Sequence, residues 1–189
     1  MLPEKATEAL ETKIASWQTE LSSDGINWTD RSQLHFTIRF IGETPLHRAR
    51  LVADAGHELA EKMTEFKMLL GSRGAFPTTE RPGSIWIGAD IGGEELGLMA
   101  HWMENRLIGM GFRREPKAFN PHLTVARIKS YNSEAAASKW LTSVDQSDPI
   151  STEITSFSLV QSIPSPTGST YRVVEHFPLQ SEPVATKIG

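Results

Sequence analysis

His35-Phe36-Thr37-Ile38-Arg39-Phe40-Ile41-Gly42 alternates polar and apolar side chains, and its first four positions recur as His122-Leu123-Thr124-Val125, a shift of 87 positions (122 − 35). Successive side chains of a strand point to opposite faces, so residues i and i+2 share a face about 6–7 Å apart. In both copies His and Thr therefore look one way, while Phe36, Ile38, Leu123 and Val125 look the other. Arg39 extends the polar face of the first copy; Arg127, five positions beyond His122, falls on the opposite face by the same alternation. Burying the apolar side locks the register, because a slip of one residue would turn both histidines inward. A repeat of this kind predicts two similar lobes facing each other, with strands over 34–41 and 122–128 meeting in the cleft.

Helical periodicity flanks both copies. Ala6, Leu10, Ile14, Trp17 and Leu21 recur at three- and four-residue steps and predict a helix over 3–21, followed by a polar loop over 22–32. Leu51, Val52, Ala55, Leu59 and Met63 put the same stripe on a helix over 48–63. Leu96, Met99, Ala100, Met103 and Leu107 mark a third, ending near Gly109 and Gly111. Ser133, with Glu134 behind it, is expected to cap a helix through Leu141. Further strands are predicted over 66–70, 85–89, 153–161 and 170–179, with a Gly- and Pro-punctuated loop over 71–83. Strands and helices without strict βαβ alternation predict an α+β fold with two mainly antiparallel sheets and helices packed outside. One two-lobed domain is expected over residues 1–180, its repeat halves spanning about 3–93 and 94–180, with 181–189 as a frayed tail.

Composition narrows the chemistry. A chain of 189 residues can bury a substantial core. It has no cysteine, which excludes disulfides, thiolate metal sites and cysteine nucleophiles, and fits a reducing cytoplasm. No apolar run approaches the roughly 18–20 residues of a membrane span, and no basic-then-apolar leader opens the sequence. The net charge is −4, whereas proteins that grip long nucleic acid usually carry a basic stripe. Any nucleic acid is therefore expected as a short terminus in a local pocket. A monomer with no required protein partner and no cofactor is expected.

Two imidazoles and two hydroxyls around one small site suit a phosphate. Opening a phosphodiester with water requires one proton taken from the nucleophile and one given to the departing oxygen. A histidine pair does both near neutral pH, because imidazole titrates near 6.5. The rings must then sit on opposite sides of phosphorus, as pseudo-twofold lobes allow. Thr37 and Thr124 can donate to the non-bridging oxygens, with Arg39 or Arg127 adding charge stabilisation. No metal is expected, since no histidine pair at helical ligand spacing accompanies a carboxylate cluster. Against this stands the plainer reading: six histidines make chance His-x-Thr matches a real hazard, and a strand histidine is often a core residue bonded to backbone. The shared amphipathic strand context of both copies favours the chemistry.

Phe119 and Tyr171 can either stack on a base or pack within the fold. Trp86 and Trp102 read as core. His47, His57 and His101 lie in predicted helices and read as surface or packing residues, and His176 has no evident partner in the sequence.

These segments together resemble the two-histidine phosphoesterases, specifically the RNA 2′,3′-cyclic phosphodiesterase branch, also called 2′-5′ RNA ligase. Leu34-His35-Phe36-Thr37-Ile38-Arg39-Phe40-Ile41-Gly42-Glu43 looks like the family's first motif, and Phe119-Asn120-Pro121-His122-Leu123-Thr124-Val125-Ala126-Arg127 like its second. Gly74-Ala75-Phe76-Pro77, Pro82 and Ile85-Trp86-Ile87-Gly88 are similar to the connecting segment. Ser165-Pro166-Thr167-Gly168, Tyr171 and His176-Phe177-Pro178-Leu179 resemble the closing hairpin. The resemblance covers about residues 3–179.

It implies a bilobal fold with the active site between the lobes and metal-free hydrolysis of 2′,3′-cyclic phosphates to 2′-phosphomonoesters. It also implies His35 as proton donor to the 3′ oxygen and His122 as base toward water. The residues alone leave that orientation open. The reverse reaction, attack by a 5′-hydroxyl, would form a 2′-5′ linkage. Members open with a short apolar strand ahead of a proline, whereas this sequence starts at Met1-Leu2-Pro3. Unpaired neighbouring backbone and marginal stability are therefore expected. Two rivals remain at this point: a noncatalytic RNA-end binding module, and an enzyme for another cyclic phosphate such as ADP-ribose 1″,2″-cyclic phosphate.

Overall fold

The computed structural model describes residues 2–21, 25–142, 149–165 and 168–181. Ala6, Leu10, Ile14 and Trp17 form the buried stripe of α1 (Glu4–Glu20), which follows Pro3. Val52, Ala55 and Leu59 do the same for α2 (Leu46–Ala60), which begins directly after Pro45, two residues earlier than the apolar spacing predicts. Leu51, assigned to that stripe, is instead 38% exposed. α3 (Gly93–Gly109) buries Leu96, Met99, Ala100, Met103 and Leu107 as expected. In α4 (Tyr131–Thr142) Ser133 lies inside the helix rather than capping it, and its hydroxyl meets that of Ser130 at 2.7 Å.

Two antiparallel sheets complete the α+β architecture. β1 (Ile26–Trp28), β2 (Phe66–Pro77), β3 (Pro82–Ile91), β4 (His122–Ile128) and β5 (Ile150–Ile154) make the larger, in the order β1-β4-β3-β2-β5. β6 (Ser156–Ser165) and β7 (Gly168–Pro178) form the second sheet. Leu70, Ile85, Leu123 and Val125 on the large sheet pack with Leu10, Leu59, Met99 and Leu107 from the helices. No described helix is long and apolar enough to cross a membrane.

Four segments depart from the periodicity, each for a physical reason. The loop expected over 71–83 is mostly the arms of a long β2–β3 hairpin. Gly71 and Gly74 look like loop punctuation, yet they are strand glycines whose missing side chains make room for the Asp90 carboxylate and the Trp86 ring. The polar loop over 22–32 contains β1, too short to show an alternation; Ser22–Asp24 lie outside the described residues. The strand expected over 153–161 is two strands parted at Thr155, where the chain leaves the large sheet for the small one. The tail beyond Ser181 lies outside the described residues.

The fourth departure concerns the site. Residues 34–41 form no strand ladder among the described residues and bend at Ile38. Side chains hold the segment instead: Leu34 is buried, Phe36, Ile38 and Ile41 pack on the core, and Gln33 Nε2 donates to the Ser169 carbonyl at 2.6 Å. An alternating pattern reports which side is apolar; a strand also needs a neighbour to accept its hydrogen bonds.

Candidate active site

β4 carries the second motif, paired along its length with β3 and at its far end with β1. Gly88 and Trp86 of β3 pair with His122 and Thr124, while Asn27 of β1 and Ser84 of β3 flank Arg127. The ladder does not run evenly. Trp86 pairs with Thr124 and Ile85 with Ala126, which leaves Val125 as an extra residue, a β-bulge. Val125 and Ala126 are consequently both fully buried, and the phase inverts after them. The expectation that Arg127 lies on the face opposite His122 is therefore corrected. The bulge returns it, exposed, to the side of His122, Thr124, Ser84 and Trp86.

Both imidazoles are clamped in the same way. His35 Nδ1 meets the Gln33 carbonyl at 2.6 Å, and His122 Nδ1 meets the Asn120 carbonyl at 2.8 Å. A carbonyl can only accept, so each Nδ1 bears the proton and each Nε2 is the atom left to exchange one. The acceptor is residue i−2 in both copies, so the ring orientation is built into the tripeptide leading up to it.

The surroundings differ. Tyr171 from β7 stands edge-on to His35 with centroids 4.9 Å apart. Phe76 stands edge-on to His122 at 4.8 Å, and Trp86 lies 6.1 Å away. Burial of His35 lowers its pKa; the hydrogen bond to Gln33 works against this, and the positive charge of a protonated His122 lowers it further.

The hydroxyls of Thr37, exposed, and Thr124, half-buried, make no intramolecular hydrogen bond among the described residues. Phe119, 36% exposed, sits in the loop that enters β4.

Arg39 is placed otherwise than as an open cation on the polar face. Its side chain is 8% exposed, with Nε 2.6 Å from Glu104 and Nη1 3.1 Å from Glu115. The Nε approach falls outside hydrogen-bond geometry, so that contact is coulombic. Two carboxylates therefore already occupy this guanidinium.

Phe76 and Trp86 were missed as neighbours of His122, Trp86 having been read as core alone. Alternation along β3 places Ser84, Trp86 and Gly88 on one face, but that parity points to His122 only once the β3–β4 register is known. His176 does have a partner, the Ser158 hydroxyl at 3.2 Å. Among the described residues no cluster of three His, Asp or Glu side chains is arranged to hold a metal ion.

Known proteins are similar to this chain in sequence and fold. The family profile described as LigT like Phosphoesterase matches residues 2–86 and 91–171. A protein of Aeropyrum pernix named RNA 2′,3′-cyclic phosphodiesterase is 36% identical over 165 residues, covering 86% of this chain and 92% of the relative. One of the same name from Archaeoglobus fulgidus is 31% identical over 171 residues, covering 90% and 94%. A solved protein of Thermus thermophilus superposes with a TM-score of 0.74 at 25% identity, over 96% of this chain and 95% of its own. E. coli LigT, solved in complex with 3′-AMP, gives a TM-score of 0.72 at 19% identity, a likeness of fold, over 95% and 94%. With the paired histidines, the two antiparallel sheets and a match over most of its length, the chain belongs to the LigT-like phosphoesterases.

Proposed function

We propose that this protein hydrolyses the 2′,3′-cyclic phosphate ends of RNA to 2′-phosphomonoesters, with His35 as proton donor and His122 as proton acceptor. The observation that carries the reading is the duplicated clamp, which frees Nε2 on both imidazoles for proton transfer. Family membership and the shared name of the relatives supply the substrate class.

In the reaction, His122 Nε2 accepts a proton from water as its oxygen attacks phosphorus. The bond from phosphorus to the 3′ oxygen breaks in line, and His35 Nε2 protonates that oxygen. Thr37, Thr124 and Arg127 bind the non-bridging oxygens, where negative charge accumulates. A lowered pKa makes His35 a stronger acid, and the anionic phosphate beside it counters the lowering so that the ring stays charged until transfer. Tyr171 and Phe119 are assigned to the base. Arg39 keeps a supporting part, tying its segment to Glu104 and Glu115. The reverse reaction, attack by a 5′-hydroxyl, is a minor one because water is abundant and ring opening releases strain.

The protein acts as one two-lobed domain over residues 1–180, as a monomer, in the cytoplasm and without a metal. Incubation with 2′,3′-cyclic AMP tests the reaction: 2′-AMP is expected, undiminished by excess EDTA. Binding without turnover would favour a noncatalytic RNA-end module, and chelator sensitivity would overturn the metal-free mechanism. Substrate profiling against ADP-ribose 1″,2″-cyclic phosphate separates the remaining rival.

A further inference from the structure

Taking the reaction above as given, we propose that the loop over 113–120 binds the phosphodiester backbone of the RNA strand leading to the cyclic end. The preferred substrate is then an oligonucleotide rather than a mononucleotide.

This loop, Arg113-Arg114-Glu115-Pro116-Lys117-Ala118-Phe119-Asn120, places three cations beside one carboxylate in a chain of net charge −4. Arg113, Arg114 and Lys117 are exposed and form no ion pair among the described residues. The single carboxylate, Glu115, is turned back onto Arg39 at 3.1 Å and shares that guanidinium with Glu104, so it faces into the fold and away from the three cations' partners.

The same cluster fixes the loop's backbone. Arg39 donates to the Arg113 carbonyl, and the Glu115 amide donates to Glu104 at 2.8 Å. At the far end, the Asn120 carbonyl clamps His122. The cations therefore stand on a segment fastened at both ends, one of which is the catalytic imidazole itself. Lys117 lies five residues before His122, which puts their Cα atoms within about 18 Å, a distance an RNA of a few nucleotides spans. Phe119 adds an aromatic face among the cations, the combination that single strands bind through phosphate attraction and base stacking.

Two measurements test this on the full chain. Kinetics compare 2′,3′-cyclic AMP with a ten-nucleotide RNA ending in a 2′,3′-cyclic phosphate. Fluorescence anisotropy reads binding of the same RNA sequence ending in a 2′-phosphate, which is not turned over. Three phosphate contacts on a single strand raise the RNA Kd about 20-fold between 50 and 200 mM salt. The triple variant Arg113→Ala, Arg114→Ala, Lys117→Ala should flatten that dependence. It should also lower the RNA-to-mononucleotide ratio of kcat/KM about 20-fold at the lower salt while kcat on RNA holds. A variant that keeps the wild-type salt dependence, or a wild type without preference for the RNA, overturns the proposal. Loss of the reaction reading would show separately, as absence of 2′-AMP from the wild type with the anisotropy intact.

Discussion

His35 and His122 sit in matching tetrapeptides but in unlike surroundings. β4 holds His122 in a ladder with β3, whereas residues 34–41 have no ladder partner among the described residues and are held by side chains. Each ring is nonetheless fixed by the carbonyl two residues earlier, at 2.6 and 2.8 Å. Imidazole orientation is thus a local property of the motif, while the position of the motif is a property of whatever packs around it. The arginines following each motif make the same point. Arg39 is buried in carboxylates and Arg127 is exposed on the site's side, the reverse of what alternation alone predicts.

The sharpest way to break the comparison is to remove each ring. His35→Ala and His122→Ala should each lower kcat by about 10³-fold, and the double variant by a similar factor, because the two act in one step. Multiplying losses in single-turnover assays would mean the rings work independently.

The arginines should then separate stability from activity. Arg39→Met strands Glu104 and Glu115 beside a buried methionine and should cost about 3 kcal/mol in denaturant unfolding. Arg127→Met should leave the unfolding midpoint within about 0.5 kcal/mol of wild type yet lower kcat/KM about 10²-fold. An unstable Arg127 variant would count against the bulge that turns it outward, and an Arg39 variant as stable as wild type would count against the two carboxylates depending on it.

Smaller effects sharpen the electrostatics. His122→Gln removes a neighbouring positive charge and should raise the His35 pKa in an NMR titration. Stability should follow the same ring. The folded-state pKa of His35 lies below its ordinary 6.5, chiefly through burial, so between these values the unfolded chain binds more protons than the native one. Stability contributed by the neutral ring is present above 6.5 and declines as pH falls toward the lowered value. His35→Gln should flatten that limb in denaturation curves; an unchanged pH dependence would assign it to other groups.

Much of this was legible in the residues. The apolar stripes placed α1 to α3, the Ser133-Glu134 signal placed α4 though not its start, and the repeat singled out both histidines and both threonines. What escaped were features that depend on a neighbour. Gly74 reads as a turn residue until the Trp86 ring is seen to cover it, and β1 is only three residues long. Phe76 and Trp86 become walls of the His122 site only through the β2–β3 and β3–β4 registers.

By itself the sequence determined the α+β class, the apolar faces and the two His-x-Thr tetrapeptides to which the chemistry is assigned, because periodicity and side-chain chemistry are written residue by residue. Only the tertiary structure decided that 34–41 forms no ladder among the described residues, that Val125 bulges and turns Arg127 about, and that Glu104 and Glu115 capture Arg39. Hydrogen-bond partners and counter-charges lie tens of residues away along the chain, and a one-dimensional pattern does not say which of them will meet.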